Sequence, residues 1–99
     1  MSKLVRDGIP DLMRAQGQQP NTRNLGEDEY IVELWAKLQE EVDELANATV
    51  DGVAEEIADV VEVLRAIANE RGIEWTTVEE VRSAKKATRG GFSKRIYLC

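Results

Sequence analysis

The 99 residues are enough for one domain, which we predict to span residues 1–99, but they leave only a modest core. The composition excludes several classes of protein. Without histidine there is no Ser-His or Cys-His nucleophile, Cys99 alone can form no internal disulfide, and no apolar run approaches the roughly 20 residues of a membrane span. The net charge of −6 conceals an acidic middle, since residues 27–80 hold 17 acidic and three basic residues, and this argues against a nucleic-acid partner. The charged N-terminus is unlike a signal peptide, and because a lone cysteine fits a reducing compartment we expect a cytoplasmic protein.

The first part of the chain predicts a short helix and then a hairpin of two long helices. Pro10 begins the short helix and Gly17 ends it. Residues 27–48 and 53–71 each carry one apolar stripe at about 100° per residue. Their short connection predicts an antiparallel pair, with Asp51 as the N-cap of the second helix. The stripes consist of Ile31, Leu34, Trp35, Leu38, Val42 and Leu45, and of Val53, Ile57, Val60, Val61, Leu64, Ile67 and Ala68.

The C-terminal part predicts one more helix and a short tail. The helix begins near Ile73, where Thr and Glu residues can cap it, and Gly90 ends it. Residues 92–98 predict a small strand or an extended tail. Trp35 and Trp75 are expected in the core or a subunit interface, with nucleobase stacking as the alternative. The predicted fold class is therefore all-α.

Two acidic pairs mark the hairpin as the candidate site. Glu41 and Glu44 lie about 60° and 120° from the centre of the first stripe, while Glu56 and Asp59 lie about 80° and 140° from the second, in the same rotational sense. Facing antiparallel helices are mirror images in projection, so all four carboxylates should share one side of the pair. Few cations lie nearby in sequence, so the like charges would repel unless a cation such as Mg²⁺ lay between them. A solvated acidic face is the alternative.

Other acidic residues of the hairpin are expected outside this cluster. Glu40 lies roughly opposite the first stripe, and Glu55 and Glu62 also point away from the cluster. We expect these three side chains in solvent or against a neighbouring subunit.

The acidic motif resembles that of a known family. Glu40-Glu41-Val42-Asp43-Glu44 followed by Glu56-Ile57-Ala58-Asp59 resembles the Glu-Glu-x-x-Glu and Glu-x-x-Asp signature of the MazG-like, all-α nucleoside triphosphate pyrophosphohydrolases. The opening residues 3–10 and the closing residues 89–96 resemble the ends of a compact subgroup described as phosphoribosyl-ATP pyrophosphohydrolase-like. The resemblance therefore runs nearly from end to end.

The resemblance implies a reaction and a set of roles. The reaction would be Mg²⁺-dependent hydrolysis between the α and β phosphates of a nucleotide, with Mn²⁺ as an alternative ion. Glu41, or its neighbour Glu40, would accept the proton of the attacking water. The implied metal ligands are Glu41, Glu44, Glu56 and Asp59, and the implied phosphate contacts are Lys3, Arg6, Lys94 and Arg95. Surface charge or salt bridges to the acidic middle are the alternative for these four cations.

The resemblance also implies a homodimer or homotetramer, in which helix hairpins pair into a four-helix bundle. Two features depart from larger relatives. Only 11 residues separate Glu44 from Glu56, which makes the hairpin tight, and Gly90-Gly91-Phe92 stands where those relatives have Asn and Lys, so base and sugar recognition cannot be transferred. Phosphoribosyl-ATP hydrolysis, or a non-catalytic nucleotide-binding module, are the alternative functions.

Overall fold

The computed structural model describes residues 2–99 and confirms the all-α class. The helices are α1 (Ile9–Ala15), α2 (Glu27–Ala46), a 3₁₀ turn (Val50–Gly52), α3 (Val53–Glu70) and α4 (Trp75–Arg89). No strand occurs among residues 2–99, and the predicted strand or extended tail begins instead with a turn at residues 92–95. Within the same range, none of the helices is long and apolar enough to cross a bilayer. The chain forms two compact units, which divide between Ile67 and Ala68.

The ends of α1 follow from proline and glycine, as predicted. Pro10 lies in the first turn, where its missing N–H leaves no hydrogen bond unmade. Gly17 has a φ of +84°, a left-handed conformation that other residues adopt at a cost, and it directs the chain out of the helix. A segment without regular secondary structure, residues 2–6, precedes this helix and contributes to the site described below.

The two long helices form the predicted antiparallel hairpin within the first unit. Three acidic residues, Glu27, Asp28 and Glu29, occupy the first turn of α2, where the helix dipole favours negative charge. The prediction for Asp51 is wrong. This residue lies inside the 3₁₀ turn, which runs directly into α3, and Thr49 takes the capping position of that turn.

The buried face of the hairpin is rotated away from the centre of the predicted stripes. On α2, Leu34 is 2% exposed, whereas Trp35 is 51% and Val42 is 41% exposed. Trp35 and Val42 point within about 20° of one another, and Leu34 points about 100° away from Trp35. On α3, Val63 is buried while Ile57, about 120° away, is exposed. The α2 stripe is thus divided into a buried and an open half, and on α3 the buried Val63 lies outside the predicted stripe.

The second unit begins with the end of α3. Gly72 has a φ of +72°, its N–H donates to the carbonyl of Asn69, and the N–H of Ile73 donates to that of Ala68 at 2.8 Å. This pair of bonds is a Schellman motif, which satisfies the last carbonyls of the helix. The expected capping of α4 is not made through a side chain, because Glu74 takes the N-cap position without a side-chain hydrogen bond.

Candidate metal and nucleotide site

The acidic residues of α2 and α3 meet in two groups that share Glu41. One group combines Glu41 with Glu56 and Asp59, and the other combines Glu40, Glu41 and Glu44. Within each group one carboxylate oxygen from every residue lies within 4.8 Å of the others. All four acidic residues predicted from helix geometry therefore take part, and Glu41 connects the two groups.

Two buried carboxylate oxygens in this cluster have no hydrogen-bond partner within the described chain, namely Glu41 Oε2 and Glu56 Oε2. Glu41 is only 6% exposed. An unpartnered buried carboxylate is costly, and proteins usually pair such charges or use them to hold metals. Hard oxygen ligands at this spacing suit Mg²⁺ or Mn²⁺. The residues present therefore fit a divalent cation.

Burial also changes the acidity of Glu41. Removal from water raises the pKa of the Glu41 carboxyl above its ordinary value, and the adjacent Glu44 raises it further. A hydrogen bond from Lys37 acts in the opposite direction. Without a further positive charge, Glu41 therefore holds a proton more readily than a solvated glutamate.

Three basic side chains contact the cluster, and two of them, Lys3 and Arg6, form the salt bridges to the acidic middle that were the alternative to phosphate contacts. Arg6 Nη2 lies 2.7 Å from Asp59 Oδ1, and Lys3 Nζ lies 3.7 Å from Glu40 Oε1. Lys37 Nζ lies 3.3 Å from Glu41 Oε1 and 3.5 Å from Glu40 Oε2. Lys37 was not among the predicted site residues, although its position four residues before Glu41 was a sufficient signal, because such residues are neighbours on a helix.

The prediction for Glu40 is wrong, whereas Glu55 and Glu62 are exposed and belong to neither carboxylate group, as expected. Glu40 lies beside Glu41 and Glu44, because the packed face of α2 is rotated toward the acidic residues and brings Glu40 round with it. Glu62 lines the cavity next to the cluster.

A cavity of about 260 Å³ opens beside the cluster, entirely within the first unit. Its walls come from the N-terminal segment, α2 and α3. One part is charged, with Arg6, Lys37, Glu41 and Asp59, while another is apolar, with Tyr30, Leu34 and Val63. The volume is just below the roughly 300–1,000 Å³ of typical small-molecule sites. A charged and an apolar wall of this size suit part of a nucleotide.

Lys94 and Arg95 belong to the second unit, in the turn that follows α4. Arg95 has a φ of +59°, and its N–H donates to the carbonyl of Phe92 at 3.0 Å. Contact of these two cations with phosphate stays a prediction.

By its match to a family profile, the chain belongs to the MazG-like superfamily of nucleoside triphosphate pyrophosphohydrolases. A profile of the phosphoribosyl-ATP pyrophosphohydrolase family matches residues 10–85, and the chain belongs to this family. The matched range contains every acidic residue of the two carboxylate groups.

The chain is also similar to an uncharacterized protein of Mycolicibacterium smegmatis, with 56% identity over 48 residues. The match covers 48% of this chain and 49% of the relative, so it spans about half the length of each. No solved structure matches the chain.

Proposed function

We propose that the protein is a divalent-cation-dependent pyrophosphohydrolase of nucleoside triphosphates. It cleaves between the α and β phosphates and releases a nucleoside monophosphate and pyrophosphate. The observation that carries this proposal is the buried Glu41, whose unpartnered oxygen lies where the two carboxylate groups meet. Membership of a pyrophosphohydrolase family supports the reaction type.

The proposed metal ligands are Glu41, Glu44, Glu56 and Asp59. When bound, Mg²⁺ or Mn²⁺ supplies neutralisation of phosphate charge and orients water for in-line attack. Glu41 and Glu56 offer the two oxygens that lack partners. Glu44 is exposed and belongs to only one of the two groups, so its contribution is the smallest of the four.

The proposed proton acceptor is a carboxylate of the same cluster. Glu41 is suited to this role, because it belongs to both carboxylate groups and its Oε2 has no hydrogen-bond partner within the described chain. Glu40 is the alternative acceptor, since it lies beside Glu41 and contacts both Lys3 and Lys37.

Phosphate binding is assigned to the basic residues at the two ends of the chain, Lys3, Arg6, Lys94 and Arg95. Arg6 supports this role most directly, because it lines the cavity and already pairs with the carboxylate of Asp59. A guanidinium can exchange that carboxylate for a phosphate oxygen and keep its hydrogen-bond geometry. The apolar wall with Tyr30 and Leu34 is then available to the base or the sugar.

We also propose that the protein works as a homodimer or homotetramer whose hairpins pair into a four-helix bundle. Trp35 and Val42 on α2, and Ile57 and Leu64 on α3, are each at least 36% exposed. Each pair is seven residues apart and forms a short stripe along its helix. By the mirror relation of facing helices, the two stripes lie on one side of the hairpin, away from the acidic residues. An apolar surface of this kind suits a second copy of the same hairpin.

Phosphoribosyl-ATP is the second candidate substrate, since the family takes its description from that reaction. The two substrates contain the same phosphate anhydride, so the same cluster serves either. A nucleotide-binding module without catalysis is the remaining alternative.

A panel of canonical and modified nucleoside triphosphates, together with phosphoribosyl-ATP, tests the proposal with pyrophosphate release as the readout. We expect turnover with Mg²⁺ or Mn²⁺, loss of turnover in EDTA, and a preference that separates the two substrate classes. If nothing in the panel is cleaved while one nucleotide raises the melting temperature, the protein is a binding module.

A further inference from the structure

Lys37 is a lysine in an unusual position. Its side chain is only 16% exposed, and its ammonium group lies 3.3 Å from Glu41 and 3.5 Å from Glu40. Lysines are rarely so buried unless they are paired. Lys37 also lines the cavity, together with Glu41 and Asp59.

The same carboxylate of Glu41 that receives Lys37 belongs to both carboxylate groups. A divalent cation held there and the ammonium of Lys37 would be like charges a few Å apart in a partly buried site, where repulsion is poorly screened. The four-carbon side chain of lysine is flexible and can turn into the adjoining cavity. The two positive charges therefore compete for the carboxylate of Glu41, and the ammonium of Lys37 can move away from it into the cavity.

We propose that Lys37 is an internal counter-ion of this site, which neutralises Glu41 and Glu40 without metal and is displaced into the cavity when a divalent cation binds. The proposal rests on the metal site of the proposed function. The cation must overcome the free-energy cost of displacing Lys37, so this lysine sets the metal affinity of the site without being a ligand.

The test compares Mn²⁺ binding to the wild type and to Lys37→Met, by calorimetry and by electron paramagnetic resonance in the absence of nucleotide. We expect Lys37→Met to bind Mn²⁺ at least about tenfold more tightly, because no ammonium has to be displaced. Its melting temperature should also rise more on addition of Mn²⁺ than that of the wild type. Lys37→Arg keeps the charge and should remain near wild-type affinity.

A matched control is Arg23→Met, which removes a cation that pairs with Glu29 and has no contact with the cluster. It should leave Mn²⁺ affinity unchanged. Equal or weaker binding by Lys37→Met would overturn the assignment of Lys37. Failure of every protein to bind Mn²⁺ would instead remove the metal site and, with it, the proposed function.

Displacement can also be observed in the wild type, which makes the test independent of the folding of Lys37→Met. The chain has five lysines, so the side-chain Cε–Hε signals of a lysine-labelled sample can be assigned individually. The diamagnetic Mg²⁺ should shift the Lys37 signal strongly toward that of a solvated lysine and leave Lys85 and Lys86 unaffected. A Lys37 signal that does not move at saturating Mg²⁺ refutes displacement.

Discussion

Replacement of Glu41 by glutamine should remove most of the stabilisation of the fold by Mg²⁺. At a concentration 100 times its dissociation constant, a ligand stabilises the folded state by about 2.7 kcal/mol. For a chain of this size that corresponds to a rise in melting temperature of roughly 10–20 °C. Glu41 belongs to both carboxylate groups, so Glu41→Gln leaves each group with two acids. A loss of about 100-fold in affinity, the upper end for changes around a metal, reduces the stabilisation to about 0.4 kcal/mol.

Differential scanning fluorimetry with and without Mg²⁺ measures this effect directly. Glu55→Gln is the matched control, since it makes the same chemical change at an exposed residue next to Glu56 and should keep the full Mg²⁺ shift. Glu44→Gln should keep most of it, because the group of Glu41, Glu56 and Asp59 remains intact. An Mg²⁺ shift in Glu41→Gln as large as in the control would refute the central place of Glu41.

Three further predictions concern acidity, phosphate binding and assembly. Because burial raises the pKa of Glu41, the metal-free wild type should lose stability as the pH rises from about 4 through the folded pKa. Thermal unfolding between pH 4 and 8 should therefore show the melting temperature of Glu41→Gln rising relative to that of the wild type. A difference that stays constant over this range contradicts the prediction. Arg6→Gln should raise KM for the nucleotide about tenfold in steady-state assays without weakening Mn²⁺ binding, since a charged hydrogen bond to phosphate is lost, and an unchanged KM excludes Arg6 as a phosphate contact. Ile57→Glu should shift the protein toward monomer in sedimentation velocity by placing charge on the apolar side of the hairpin, whereas an unchanged sedimentation coefficient argues against that interface.

Helix positions were predictable from sequence because they depend on local signals. Pro10 and Gly17 set the ends of α1, and the apolar periodicity located α2 and α3. The Schellman glycine Gly72 ends α3 near its predicted limit. The prediction of Asp51 as an N-cap is wrong because a residue type that caps helices can equally occupy a 3₁₀ turn. Which of the two positions it takes depends on how tightly the hairpin closes.

The packed face of each helix could not be predicted from the stripe alone. A stripe wide enough for two partners has its centre between them, so the centre of the α2 stripe lies between the buried Leu34 and the exposed Trp35. The same error explains why the prediction for Glu40 is wrong. Measured from the stripe centre this residue lies opposite the stripe, whereas in the structure it lies within the cluster. The prediction that the four acidic residues of the motif lie close together is still correct, because both helices are rotated in the same sense and the mirror relation is preserved.

The cations around the site show the limit of counting charges by segment. The acidic middle was correctly identified, but its few basic residues include Lys37, which contacts both Glu40 and Glu41. The contacts of Arg6 and Lys3 depend on the path of the N-terminal segment, which no periodicity reports. Tertiary packing therefore determines which charges meet.

The most direct test of the central claim is to identify the products. Phosphorus-31 nuclear magnetic resonance can monitor them during turnover of the best triphosphate substrate with Mg²⁺. Cleavage between the α and β phosphates predicts pyrophosphate and nucleoside monophosphate in equal amounts from the wild type and Glu55→Gln, and neither from Glu41→Gln. Release of orthophosphate with a nucleoside diphosphate, or undiminished turnover by Glu41→Gln, would contradict the assignment.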